Sequence, residues 1–96
     1  MKESQIRKLA VAILEKQGYA CWWSAKTKFH ESDIFGIADL ICSNKQGIKL
    51  IQLTTLSNVS ARRKKINKVL EKMELGCPIE VWGMRKDKTF KIVRIY

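Results

Sequence analysis

Ile34-Phe35-Gly36-Ile37-Ala38-Asp39-Leu40-Ile41-Cys42 is apolar at both parities of position except at Asp39, and this run decides the fold. Apolar residues on both faces suit a strand buried between two layers. Ser43-Asn44-Lys45-Gln46-Gly47 follows as a turn into Ile48-Lys49-Leu50-Ile51-Gln52-Leu53-Thr54, so the two segments read as an antiparallel hairpin. Period-two alternation sets Leu50, Gln52 and Thr54 on one face of the second strand and Lys49, Ile51 and Leu53 on the other. Asp39 is the anomaly. A carboxylate inside a buried strand costs on the order of several kcal/mol unless it is paired, hydrated or bound to a metal, and Val or Leu would serve the strand better. Either the strand end is exposed there, or Asp39 meets an Arg, or the acid has a chemical role. Closing the hairpin brings the Gln52–Thr54 end near the start of the preceding strand. A splay or bulge at that point would let Asp39 and Gln52 converge.

The flanking segments extend this core. Ile6, Leu9, Ala10, Ile13 and Leu14 form one apolar stripe of a helix running from about Glu3 to Gln17, which Gly18 ends. Tyr19-Ala20-Cys21-Trp22-Trp23 reads as a short strand and Ser24 to Ser32 as a polar loop. Beyond the hairpin, Val59, Ile66, Val69, Leu70 and Met73 return to helical spacing, and Leu75-Gly76-Cys77-Pro78 closes that helix. Ile79 to Met84 and Phe90 to Tyr96 end the chain as two strands around Arg85-Lys86-Asp87-Lys88. The expected architecture is one α/β domain over residues 1–96, in the order αβββαββ, with helices packed on a central mixed sheet. Trp22 and Trp23, adjacent on a strand, face opposite sides of it. Core packing is the first expectation for both, with base stacking or a dimer surface as alternatives for one.

Charge speaks to partners. Among 96 residues, 19 Lys and Arg stand against 9 Asp and Glu, a net charge of +10, while 46% hydrophobic residues suffice for a small core and argue against disorder. No apolar run is long enough for a membrane span and no signal peptide is legible, so the expected location is cytoplasmic, or the host cytoplasm for a virus-encoded protein. Cys21, Cys42 and Cys77 lack metal-ligand spacing and read as buried thiols. The run Arg62-Arg63-Lys64-Lys65-Ile66-Asn67-Lys68 winds around a helix and leaves one flank strongly positive. This suits a phosphate backbone, although a solvated helix face has the same pattern. Arg62, Arg63, Lys64, Lys65 and Lys68, with Arg7, Lys26 and Lys28, are the candidate DNA-binding residues, and Arg85, Lys86 and Lys88 add positive loops. None implies base reading.

Glu3 shares the apolar stripe of the first helix, where an acid either serves the helix dipole, pairs with Arg7, or faces a site. Taken together, the leading-helix Glu3, the stretch Ser32-Asp33-Ile34-Phe35-Gly36-Ile37-Ala38-Asp39-Leu40-Ile41, the strand end Ile51-Gln52-Leu53-Thr54 and the basic helix resemble the PD-(D/E)xK nuclease superfamily. Within it the likeness is to archaeal and viral Holliday junction resolvases, and it covers nearly the whole chain. The resemblance implies a restriction-endonuclease-like core and a metal-dependent endonuclease acting on branched or duplex DNA as a homodimer. It implies Glu3, Asp39 and Gln52 as ligands of Mg²⁺ or Mn²⁺. Thr54 stands where the family has its lysine, so catalytic positions Glu3, Asp39, Gln52 and Thr54 depart from the pattern at the last. A threonine hydroxyl cannot supply a positive charge beside the attacking water. Arg62, Lys65 and Arg7 are the candidates for a relocated cation, and Arg62, between Val59 and Ile66, can point back toward the cleft. The alternative is a nuclease-fold DNA-binding module without the chemistry. Asp33 and His30 read first as exposed loop residues.

Overall fold

The computed structural model describes residues 3–23 and 34–95, with Glu3 described in its backbone alone. The elements are α1 (Glu3–Lys16), β1 (Ala20–Trp22), β2 (Leu40–Asn44), β3 (Gly47–Thr55), a 3-10 turn (Leu56–Asn58), α2 (Val59–Leu70), β4 (Ile79–Met84) and β5 (Phe90–Arg94). They form an α/β fold in the expected order. The strands build one sheet in the order β1-β2-β3-β4-β5. β3 and β4 are parallel and α2 connects them; the other neighbouring pairs are antiparallel. β3 is therefore the central strand, covered on both sides.

Alternation along β3 assigns its two faces. Ile51 and Leu53 join Ile6, Ala10, Val11 and Leu14 of α1, with Leu40, Cys42, Trp82 and Met84, in one buried cluster. Leu50 joins Val59 and Ile66 of α2, with Ile37, Ala38, Ile79 and Val81, in the other. The second layer sits very close to the sheet at Gly83. A β-carbon there would run into Cγ2 of Val59 and stand 3.2 Å from Cα of Leu56. Glycine at this position sets the height of α2 above the sheet.

Four expectations are corrected. The run Ile34–Ala38 is not strand. Phe35 and Gly36 take φ of 54° and 74°, the left-handed region, and the chain folds back so that Ile34 N–H donates to Ala38 O at 2.8 Å. A segment that satisfies its own backbone groups has no need of a ladder, so β2 begins only at Leu40. Ile37 and Ala38 remain fully buried as a plug on the α2 face. Trp22 and Trp23 are both exposed, because β1 is an edge strand and only Cys21 among its residues packs against the α1 cluster. α2 stops at Leu70 and Met73 is exposed; on α1, Ile13 is exposed and Val11 takes its place in the core. Gly18 ends α1 as expected, with φ 89° and the Tyr19 N–H donating to Leu14 O at 3.0 Å.

Cys42 faces Cys21 across the β1–β2 pair, with the sulfurs 3.7 Å apart. Burial first, and then the neighbouring Cys21, push the Cys42 thiol from its ordinary 9.0 up to about 12. The folded chain therefore holds this proton where the unfolded chain releases it. Stability contributed by the neutral thiol is complete below about pH 9 and falls as pH rises toward 12. Thermal melts of the wild type and Cys42→Ala across that window test this. The variant starts less stable, through the cavity it leaves, and the gap between the two narrows with rising pH.

Candidate functional site

At the start of β2 the Ile34–Ala38 turn delivers Asp39 beside the central strand. Its N–H donates to Ile51 O at 2.9 Å, which fixes the backbone against β3. Its Oδ2 accepts two hydrogen bonds at 2.8 Å, one from the Leu53 N–H and one from Nε2 of Gln52. No splay is needed: the β2–β3 register, with Leu40 opposite Ile51, sets Asp39 level with Gln52. Asp39 is half-buried at a strand entrance rather than sealed within a strand, so its charge costs less than the strand reading implies.

Gln52 and Thr54 point to the α2 face and are 3% and 7% exposed, buried polar groups on the central strand. The amide of Gln52 has a determined orientation. A carboxylate only accepts, so Nε2 must face Asp39; Nε2 also reaches Leu53 O at 3.4 Å. Oε1 is thereby left buried with no hydrogen-bond partner. An orphaned acceptor costs about 1–3 kcal/mol, and such an atom in a native fold asks for a donor or a cation.

Beside it opens a cleft of about 180 Å³ lined by Ile6, Gln52, Leu53, Thr54, Thr55, Asn58 and Arg62. Arg62 enters it because its place between Val59 and Ile66 puts it on the flank of the buried stripe of α2. It is half-buried, and among the described residues no ion pair holds it. Asn58, just ahead of α2, donates from Nδ2 to Thr55 Oγ1 at 3.1 Å. Its role was not expected from the sequence, although a polar residue immediately before a helical run is a legible helix-start signal.

Of the remaining candidates, Glu3 opens α1, and Ile6, one turn further on, lines the cleft; the Glu3 side chain lies outside the described residues. Lys26, Lys28, His30 and Asp33 also lie outside them. Arg7 is half-buried with its guanidinium carbon 5.1 Å from the centre of the Trp23 ring, and it is not among the residues lining the cleft. Arg63, Lys64, Lys65 and Lys68 are exposed along α2. Of the relocated-cation candidates, Arg62 alone lines the cleft with Gln52 and Thr54.

Oxygen donors of this kind suit a hard divalent ion. The Asp39 carboxylate supplies a charged oxygen, and the Gln52 amide bound to it through Nε2 carries an unsatisfied neutral one, donor types that fit Mg²⁺ or Mn²⁺. Among the described residues no group of three His, Cys, Asp or Glu converges. No helix among them is long and apolar enough to cross a membrane. No family model matches the chain, and no curated protein matches its sequence.

Proposed function

We propose that the chain is a metal-dependent endonuclease of the PD-(D/E)xK type, cutting phosphodiester bonds in branched or duplex DNA. The observation that carries this reading is the buried, unpartnered Oε1 of Gln52, on the amide whose Nε2 binds the Asp39 carboxylate, at a cleft that Arg62 also lines. Asp39 and Gln52, with Glu3 from the start of α1, are the residues that would hold Mg²⁺ or Mn²⁺. When bound, the ion supplies Lewis acidity to the phosphodiester group.

The chain's own residues do the rest. The Leu53 N–H and Gln52 Nε2 lock Asp39 Oδ2 in place, so the carboxylate needs no reorganisation when a ligand arrives. Arg62 meets the phosphate as its negative charge grows and stands in for the missing lysine at Thr54. Thr54 offers its hydroxyl on the floor of the cleft. Outside the cleft, Arg63, Lys64, Lys65 and Lys68 present cations along the exposed side of α2 and hold neighbouring phosphates. Symmetric cutting of two strands at a junction would need two copies of this site, hence a homodimer.

The test is incubation of labelled four-way-junction and linear duplex DNA with the protein in Mg²⁺ or Mn²⁺, and in a chelator. Cutting that requires the metal supports the proposal. Salt-sensitive binding with no cutting under any divalent ion would instead establish the binding module that Thr54 favours. Arg62 and Arg63 separate the two roles further. Arg62→Ala should lower the cutting rate about a hundredfold, as loss of one charge-stabilising donor does. Arg63→Ala should leave the rate at saturating DNA unchanged and reduce the salt slope of binding by about 0.9.

A further inference from the structure

A second, larger cleft lies next to the first. It measures about 550 Å³, within the range of about 300–1,000 Å³ typical of small-ligand sites, and Thr55, Leu56, Ser57, Met84, Arg85 and Lys86 line it. Its floor joins the ends of the parallel pair, where Thr55 of β3 sits opposite Met84 of β4. Thr55 lines both clefts, so the two adjoin at that residue. Nothing assigned so far uses this space.

The lining divides by chemistry. Leu56 is 43% exposed beside the buried Met84, which presents an apolar surface at a place where solvent would otherwise select a polar residue. Arg85 and Lys86 stand at the rim, on a turn that is itself held firmly. Asp87 Oδ1 accepts from the Thr89 hydroxyl at 2.6 Å and from the Thr89 N–H at 3.1 Å, and Arg85 N–H donates to Thr89 O at 2.8 Å. Those hydrogen bonds hold the Asp87 carboxyl below its ordinary range. Thr55 and Ser57 add hydroxyls to the lining residues, hydrogen-bonded to each other at 3.3 Å.

An apolar seat, two hydroxyls and two cations match one repeating unit: a base, a sugar and a phosphate. We propose that this cleft takes an unpaired nucleotide adjoining the phosphate bound in the first cleft, an assignment that rests on the nucleic-acid reading of that site. A base within a duplex is stacked on both faces and cannot lie on Leu56, whereas an unpaired base can. The chain would therefore favour DNA in which pairing is broken next to the contacted phosphate. An acidic peptide could meet Arg85 and Lys86, but it would not continue a chain of phosphates through Thr55 from the first cleft.

Binding of the intact protein, measured by fluorescence anisotropy in chelator so that no cutting occurs, tests this. The ligands are a blunt duplex, the same duplex with a single-stranded tail, and the tailed duplex with abasic sugars in the tail. Wild type should prefer the tailed duplex, and abasic sugars should remove the preference. Leu56→Ala, at an exposed position, should weaken tailed-duplex binding about fivefold and blunt-duplex binding less than about twofold. Lys86→Glu should weaken tailed binding by a larger factor. Equal loss on both ligands, an abasic tail bound as well as a normal one, or an oligo-aspartate peptide competing as well as single-stranded DNA would overturn the assignment. If wild type binds none of these DNAs, the assignment falls together with the proposed function. Tail-dependent binding in a protein that cuts nothing in Mg²⁺ or Mn²⁺ supports the cleft and sinks only the hydrolysis.

Discussion

Asp39→Asn is expected to reduce metal-dependent cutting by at least about a thousandfold while DNA binding changes less than about threefold. The substitution keeps the side-chain shape and removes the charge. An Asn Oδ1 can still accept the Leu53 N–H that Asp39 Oδ2 now accepts at 2.8 Å. What it cannot do is accept from Gln52 Nε2 as well with comparable strength, or offer a formal negative charge to a divalent ion. The cationic side of α2 is untouched, so the salt-dependent part of binding stays. Single-turnover cleavage in Mg²⁺ and anisotropy binding in chelator measure the two quantities separately. Cutting that survives in Asp39→Asn would mean that the cleft beside Gln52 is not where hydrolysis occurs. Parallel loss of binding and cutting would point to a structural role for the carboxylate.

The site was partly legible because hairpins are strict about faces. Alternation along Ile48–Thr54 puts Gln52 and Thr54 on one face with Leu50, and hairpin closure brings Asp39 near that strand end, but which helix covers the face is not in the pattern. Helical spacing did the same for Arg62, since a residue flanking the positions that bury Val59 and Ile66 has to emerge beside the sheet. The way Asp39 is delivered was not legible. Ile34-Phe35-Gly36-Ile37-Ala38 has the composition of a buried strand, and the left-handed φ of Gly36 and of Phe35, the latter a conformation bulky residues rarely adopt, turns it into a plug. The pattern of apolar residues reports burial, which Ile37 and Ala38 do obey, but burial does not fix the backbone path. The exposure of Trp22 has a related origin. Edge position is a property of the sheet order, and nothing local to Trp22 encodes that β1 lies at its end. The second cleft escaped for the same reason: Leu56 and Lys86 come to line one cleft because β3 and β4 run parallel and in register.

Gln52→Glu is expected to destabilise the metal-free protein and to enlarge its response to divalent ions. Gln52 donates to Asp39 from Nε2 at 2.8 Å, so a glutamate there would set a second carboxylate oxygen against the first, on a strand buried on both sides. The repulsion has a ceiling, because the pair can take up one shared proton. Keeping a glutamate protonated at pH 7 against an ordinary value near 4.3 costs about 3–4 kcal/mol, which bounds the loss. For a chain of this size that corresponds to a melting temperature lower by roughly 12–32 °C. The pair's proton affinity is raised by folding, so the penalty is absent below about pH 4 and grows as pH rises; at pH 5 it should shrink to about 1 kcal/mol. A divalent ion changes the balance by neutralising both carboxylates at once. Mn²⁺ should therefore raise the melting temperature of Gln52→Glu more than that of wild type, and most of the loss should be recovered. Melts in chelator and in Mn²⁺ at two pH values give all four quantities. A variant that is destabilised and regains nothing with metal would mean that Asp39 and Gln52 are a structural hydrogen-bonded pair, and the buried Oε1 would then need a donor rather than a cation.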